Sequence, residues 1–282
     1  MKKSIRICLF VLVLSCCSFL AKAGFPVGKG HWLLSPTYNY YSASGYWNAQ
    51  RTYTAYTNNG RFSSNYFGLY GKYGINRNWE LVFNVPFAIQ TYSETNYLSQ
   101  TSSMGDATVG LSYYTNMNDY TKHFSITGSL ILPLYQNINF APTGSNVTTP
   151  IIGFQSVGGE LKLGFAGNAQ NTSRSVYYDL EAGVREYFST LGPTQTFFNA
   201  TLGVPLDDDW KLFGTLNGVS SNSTATTAID NINRDFGYFR MTAGAGLRVS
   251  KTSQLYASVF QDVSGRNIGR GHGFSLFAVI KF

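Results

Sequence analysis

From His272 to Phe282 apolar and polar positions alternate: Phe274, Leu276, Ala278, Ile280 and Phe282 fall on one side of an extended strand, and Gly273, Ser275, Phe277, Val279 and Lys281 on the other. Successive side chains of a strand point to opposite faces, so this stretch has one wholly apolar face and one mixed face. A strand with hydrocarbon on one side and a polar interior on the other needs that pattern. It recurs along the chain in segments of about ten residues separated by polar turns, the signature of a membrane-spanning barrel. The pattern predicts an all-β chain, a transmembrane antiparallel up-and-down β-barrel of about 12 strands.

The outward faces read by parity begin with Trp32, Leu34, Tyr38 and Tyr40, then Phe67, Leu69, Gly71 and Tyr73. The third strand alternates over six pairs, Trp79, Leu81, Phe83, Val85, Phe87 and Ile89 against Glu80, Val82, Asn84, Pro86, Ala88 and Gln90. Further outward sets start at Ala107, Phe124, Val157, Val176, Phe198, Trp210, Phe239, Leu255 and Phe274, which completes the dozen. Connections at 74–78, 116–121, 167–173, 205–209 and 250–254 are short or moderate, while those at 47–60, 91–104, 135–154 and 219–235 are long. Short periplasmic turns and longer extracellular loops are the habit of bacterial barrels, and an even strand number puts both termini in the periplasm.

Composition changes the picture mainly at the amino terminus. Lys2, Lys3 and Arg6 precede an apolar run from Ile7 to Leu20 and the sequence Ala21-Lys22-Ala23, a small-x-small site that permits cleavage before Gly24. Residues 1–23 therefore read as a signal peptide and 24–282 as the barrel. Lipid modification at Cys16 or Cys17 is the competing reading, but the residues around either cysteine fit a lipobox poorly. The segment holds all three cysteines, so the remaining chain has no disulfides to rely on. It also holds four of the 21 basic residues and none of the 14 acidic ones, leaving 17 against 14 and a net charge of +3. Those bases are scattered, so no nucleic acid is expected as a partner. Aromatics make up 16% of the chain and charged residues only 12%, about half the share of an ordinary soluble domain.

Amphipathic rings favour the membrane interface. At the ends next to the short turns, the outward positions hold Trp32, Tyr73, Trp79, Tyr113, Phe165, Trp210 and Phe282, a candidate interface girdle. Such a barrel has the lipid bilayer and lipopolysaccharide as its surroundings.

Gly28-Lys29-Gly30-His31-Trp32 with Pro36-Thr37-Tyr38, then Tyr73-Gly74-Ile75-Asn76-Arg77-Asn78-Trp79-Glu80-Leu81 leading to Pro86, then Gly105 to Tyr113, carry a family resemblance. Over residues 28 to about 115 the chain resembles the bacterial meta-pathway phenol-degradation family of outer-membrane barrels. The resemblance implies a transporter-like barrel for uptake of aromatic or other small hydrophobic solutes. The terminal Phe282 also looks like the signal read by the outer-membrane insertion machinery.

By the same parity, the candidate lumen-lining charges are Glu80, Asp106, Glu160, Lys162, Asp179, Glu181, Arg185, Lys211, Arg240, Arg248 and Asp262, with Lys281 beside them. Ionisable groups inside a barrel either line water or pair with one another, because Arg or Lys facing lipid at midplane costs about 2 to 4 kcal/mol. A charge-paired plug and a polar path for a solute are both compatible with this set. Tyr66, Tyr70, Tyr114, Tyr177, Tyr187, Phe213, Tyr238, Tyr256 and Phe260 also point inward, as packing or as a lining for an aromatic ligand. His123 and Ser125 share a strand face, a spacing reminiscent of an outer-membrane phospholipase, but Ile126-Thr127 follows where that enzyme has Asn-Gly. No catalytic set, metal site or cofactor is expected, and the leading expectation is a channel. The alternative is a structural or adhesion barrel acting through its loops.

Overall fold

The computed structural model describes residues 26–117, 121–135, 150, 152–168, 176–189, 192–223 and 234–282. The expected signal peptide, residues 1–23, lies outside them. Fourteen strands follow one another without a helix among the described residues: β1 (Trp32–Trp47), β2 (Tyr53–Ala55), β3 (Arg61–Gly74), β4 (Trp79–Glu94), β5 (Tyr97–Met104), β6 (Asp106–Met117) and β7 (Lys122–Pro133) make the first half. The second comprises β8 (Gly158–Asn168), β9 (Tyr177–Tyr187), β10 (Thr194–Pro205), β11 (Trp210–Asn222), β12 (Phe236–Arg248), β13 (Ser253–Arg266) and β14 (Ile268–Lys281).

Twelve of these form the wall, each antiparallel to its neighbours, in the order β1-β3-β4-β6 and then β7 to β14. The ring closes where β14 pairs with β1, from Leu33 opposite Lys281 to Trp47 opposite Ile268. Closure matters because an open edge would leave a row of unpaired N–H and C=O groups in hydrocarbon. At the seam Trp32 N–H donates to the Phe282 carbonyl at 3.2 Å and Phe282 N–H to the Trp32 carbonyl at 3.0 Å.

Two departures from the expected boundaries share one cause. Residues 91–104, expected as a long connection, are mostly strand: β4 runs on to Glu94 and pairs with β5 from Phe87 opposite Met104 to Glu94 opposite Tyr97. Similarly, β2 lies within the 47–60 connection and pairs with the end of β1. These extensions carry Thr91, Ser93, Ser99 and Thr101. Beyond the hydrocarbon neither face has to be apolar, so the alternation that marks a spanning strand fades while the hydrogen-bond ladder continues. β5 and β6 are one strand interrupted by a bulge, since Phe87 faces Met104 but Asn84 faces Thr108. Gly105 occupies the extra position and donates its N–H to the Pro86 carbonyl at 2.9 Å, placing a proline, which lacks a donor, where the ladder is already broken.

The outward face is apolar. Leu130, Leu161, Leu202, Leu212, Met241, Leu255 and Leu276 all stand exposed on it. At the end that carries both termini, rings pair across strands: Trp32 with Tyr73 at 4.7 Å, Trp79 with Tyr113 at 5.0 Å and Phe165 with Tyr178 at 5.5 Å between centroids. Trp210 and Phe282 are exposed at the same level. Gly28 and Gly30, both with positive φ, turn the chain across the end of β3, where Gly30 N–H donates to the Gly74 carbonyl at 2.7 Å.

Candidate functional site

The lumen divides into two levels, one near the long connections and one near the termini. At the loop end, hydrogen bonds follow the wall through four strands. Arg185 on β9 holds Glu160 on β8 with Nη2 and Nε at 2.6 and 3.1 Å from the same carboxylate oxygen. Its Nη1 donates to Gln195 on β10 at 3.2 Å. The Gln195 amide donates to the Ser221 hydroxyl on β11 at 3.2 Å, and that hydroxyl to the Arg234 carbonyl at 2.7 Å. Beside this belt, Arg240 Nε donates to Asp262 at 2.7 Å, and the guanidinium lies 4.3 Å from the Phe260 ring centroid. A one-residue bulge at Val263 brings this pair into register, Phe239 facing Ser264 and Arg240 facing Asp262.

The same level receives residues from the β7–β8 connection. Asp106 accepts O–H bonds from Tyr135 at 2.9 Å and from Tyr187 on β9 at 3.1 Å. Burial, and then the Asp106 charge, hold the Tyr135 hydroxyl well above its ordinary range although it accepts the Gln155 N–H, so it remains a donor. Phe154 lies against Tyr187 of β9, centroids 4.9 Å apart, and against Phe236 of β12 at 6.4 Å. Those strands are three apart on the wall. Phe154, on the described part of that connection, therefore reaches over the mouth.

Toward the termini the lumen opens into a cavity of about 500 Å³. Lys72, Lys162, Lys211 and Lys281 line it, with Asp179 and Glu181 as its carboxylates and Tyr70, Tyr114, Tyr177 and Tyr256 as rings. Lys162 pairs with Glu181 at 2.8 Å. Lys72 donates to the Tyr114 hydroxyl at 2.7 Å and stands 3.5 Å from Glu80, which is wholly buried and also accepts the Val27 N–H. Lys211 has no carboxylate among the described residues; it donates to Gln254 at 2.6 Å and sits 4.6 Å from the Tyr256 ring centroid. Lys281 and Asp179 likewise form no ion pair among the described residues. The Tyr256 ring stacks on Phe277 at 4.5 Å and 3°.

Of the parity candidates, the structure brings Glu160 to Arg185, Lys162 to Glu181 and Arg240 to Asp262, and sets Asp106 under two tyrosines. Asp179 and Lys211 face the cavity, Glu80 lies buried beneath Lys72, and Arg248 stands exposed at the rim, its backbone N–H on the Asp209 carbonyl at 2.8 Å. The candidates omit Lys72, Gln195 and Ser221. Lys72 alternates with the outward Tyr73 and Gly71, so the same parity finds it; Tyr135 and Phe154 belong to a connection with no periodicity to read. His123 and Ser125 both border the cavity.

No family model matches the chain, and no curated protein does. Among solved structures, the COG4313 outer membrane channel from Pseudomonas putida F1 is similar at a TM-score of 0.68, with 15% identity over 94% of this chain and 98% of that one. The NanC porin follows at a TM-score of 0.49, with 10% identity over 88% of this chain and 100% of that one. The translocator domain of autotransporter NalP from Neisseria meningitidis has a TM-score of 0.46 and 14% identity over 90% of this chain and 89% of that one. At such identities the likeness concerns the fold, and only the first of the three is similar over the whole barrel at a TM-score above 0.5. The chain has the fold of an outer-membrane β-barrel.

Proposed function

We propose that this protein is an outer-membrane channel for passive uptake of small molecules, hydrophobic or aromatic ones among them, with both termini periplasmic. The observation that carries the reading is the cavity of about 500 Å³ inside the wall. Eight-stranded barrels fill their interior with side chains, whereas twelve strands enclose more, and here the extra space is lined by tyrosines and by four lysines, two of which, Lys211 and Lys281, form no ion pair among the described residues. Charges and rings on one surface suit solutes with a flat apolar body and a polar edge. The resemblance of residues 28 to about 115 to the phenol-degradation barrels points the same way. Phe282 at the end of β14 fits recognition by the insertion machinery.

The test is flux through the purified barrel in liposomes. Phenol-sized aromatics are expected to enter faster than into protein-free liposomes and faster than a disaccharide. Equal rates with and without protein overturn the reading. A closed barrel acting through its loops is the second reading, favoured by Phe154 bridging the mouth. It predicts no flux from the native protein and none after Phe154→Ala.

A further inference from the structure

The outer face of β14, β1 and β3 changes character along its length. Rows read across the register run Phe282, Trp32 and Tyr73, then through Ala278, Pro36 and Leu69, to Phe274, Tyr40 and Asn65. Above these come His272, Ser42 and Ser63, and past Ala43, which faces both Gly271 and Phe62, lie Arg270 and Arg61, where the register of β1 with β14 shifts between Ala43 and Tyr46. Twelve residues separate Trp32 from Ser44. At the rise and tilt of barrel strands that is about 30 Å, just above an apolar band about 25 Å tall. The two arginines therefore stand at the headgroup level of one leaflet, about 10 Å apart at their α-carbons across two strand spacings.

Both are held in place without being neutralised. Arg61 Nε donates to the Ser42 hydroxyl at 2.9 Å and Nη2 lies 3.4 Å from the Tyr40 hydroxyl. The Arg270 guanidinium lies 5.1 Å from the Tyr53 ring centroid and 5.9 Å from that of Trp47. Neither has a carboxylate partner among the described residues, and both are exposed, as is His272. No Asp or Glu occupies an outward position of β13, β14, β1, β3 or β4. Elsewhere at this end Glu186 on β9 is an exposed outward carboxylate, and Arg266 on β13 is paired with Asp235 at 2.8 Å. A guanidinium aimed into the interface with its stem packed on rings offers paired N–H donors that match phosphate geometry.

We infer that Arg61, Arg270 and His272 form a site on the outer wall for the phosphate of a phosphorylated glycolipid in the outer leaflet. The inference rests on the proposed orientation, because only that places the loop end in the outer leaflet. The test measures retention of bisphosphorylated lipid A, and of the same lipid dephosphorylated, on the full-length folded barrel in detergent by native mass spectrometry. The native barrel is expected to hold the phosphorylated lipid with no loss to millimolar inorganic phosphate, the Arg61→Gln/Arg270→Gln variant to bind it about tenfold more weakly, and Glu186→Gln to match the native protein. Equal binding of the two lipids by the native barrel overturns the site, as does unchanged binding in the variant. Should the double variant not fold, Arg270→Gln alone carries the same comparison, since its side chain is exposed and its contacts among the described residues are with the Trp47 and Tyr53 rings. Orientation is read separately by thiol labelling of Asn58→Cys on intact cells. Labelling only after permeabilisation sinks the orientation and with it the outer-leaflet assignment, whatever the micelle result.

Discussion

The two levels of the lumen are built on the same twelve strands with the same parity, yet one is filled and the other is open. At the loop end each named charge finds a fixed partner, Arg185 with Glu160, Arg240 with Asp262, Asp106 with Tyr135 and Tyr187, and an outside connection is packed on top. At the terminus end four lysines face Asp179, Glu181 and the buried Glu80 around a cavity of about 500 Å³, and Lys211 and Lys281 form no ion pair among the described residues. Strand number alone does not decide whether a barrel interior is a plug or a vestibule. Local stoichiometry of charge does, together with whether a connection folds inward. The loop end is thus the resistance in the proposed path, and the terminus end sets what waits there.

The strongest way to break this comparison is to remove what crosses the mouth. Phe154→Gly combined with Tyr135→Phe deletes the ring between β9 and β12 and one of the two donors to Asp106. Single-channel conductance in planar bilayers is expected to rise several-fold. Tyr114→Phe at the other level is expected to leave it unchanged. A rise from both variants, or from neither, contradicts a resistance confined to the loop end. Stability separates the levels next. Asp262 is 1% exposed and Arg240 27%, so Asp262→Ala strands a largely buried guanidinium. A loss of about 2 to 4 kcal/mol is expected in urea unfolding from vesicles, near the range for breaking a buried pair. Glu181→Gln, in a pair 22% and 29% exposed beside a solvated cavity, is expected to cost about 1 kcal/mol or less.

How much of this was readable beforehand follows from what each level is made of. Alternation is enforced wherever lipid lies on one side, so Trp79 to Ile89 and Phe274 to Phe282 announce their faces and the wall is legible to the strand. Pairing across the lumen is not: parity says that Glu160 and Arg185 point inward, but only the register places one opposite the other. The Val263 bulge, which sets Arg240 against Asp262, breaks the period that the reading depends on. Tyr135 and Phe154 are invisible to it altogether. Their positions are dictated by contacts between elements far apart in sequence, Tyr135 with Asp106 and Phe154 with Phe236.

The smallest expected effect concerns the open level and sharpens the comparison most. Four lysines against Asp179, Glu181 and the Glu80 beneath Lys72 leave the cavity with an excess positive charge, and low-dielectric walls focus that field along the path of a passing ion. Lys211→Gln with Lys281→Gln removes the two cavity cations that form no ion pair among the described residues while sparing the Lys162–Glu181 and Lys72–Glu80 contacts. The reversal potential in a KCl gradient is expected to move toward cation preference. Conductance is expected to change less than twofold, since the resistance lies at the other level. Arg185→Gln provides the contrast: its charge is matched by Glu160 at 2.6 Å, so removing it frees a carboxylate at the constriction. There the loss of a single positive charge is expected to alter conductance and selectivity together, and a reversal potential shifted equally per charge removed by both variants would mean that the two levels are electrically one.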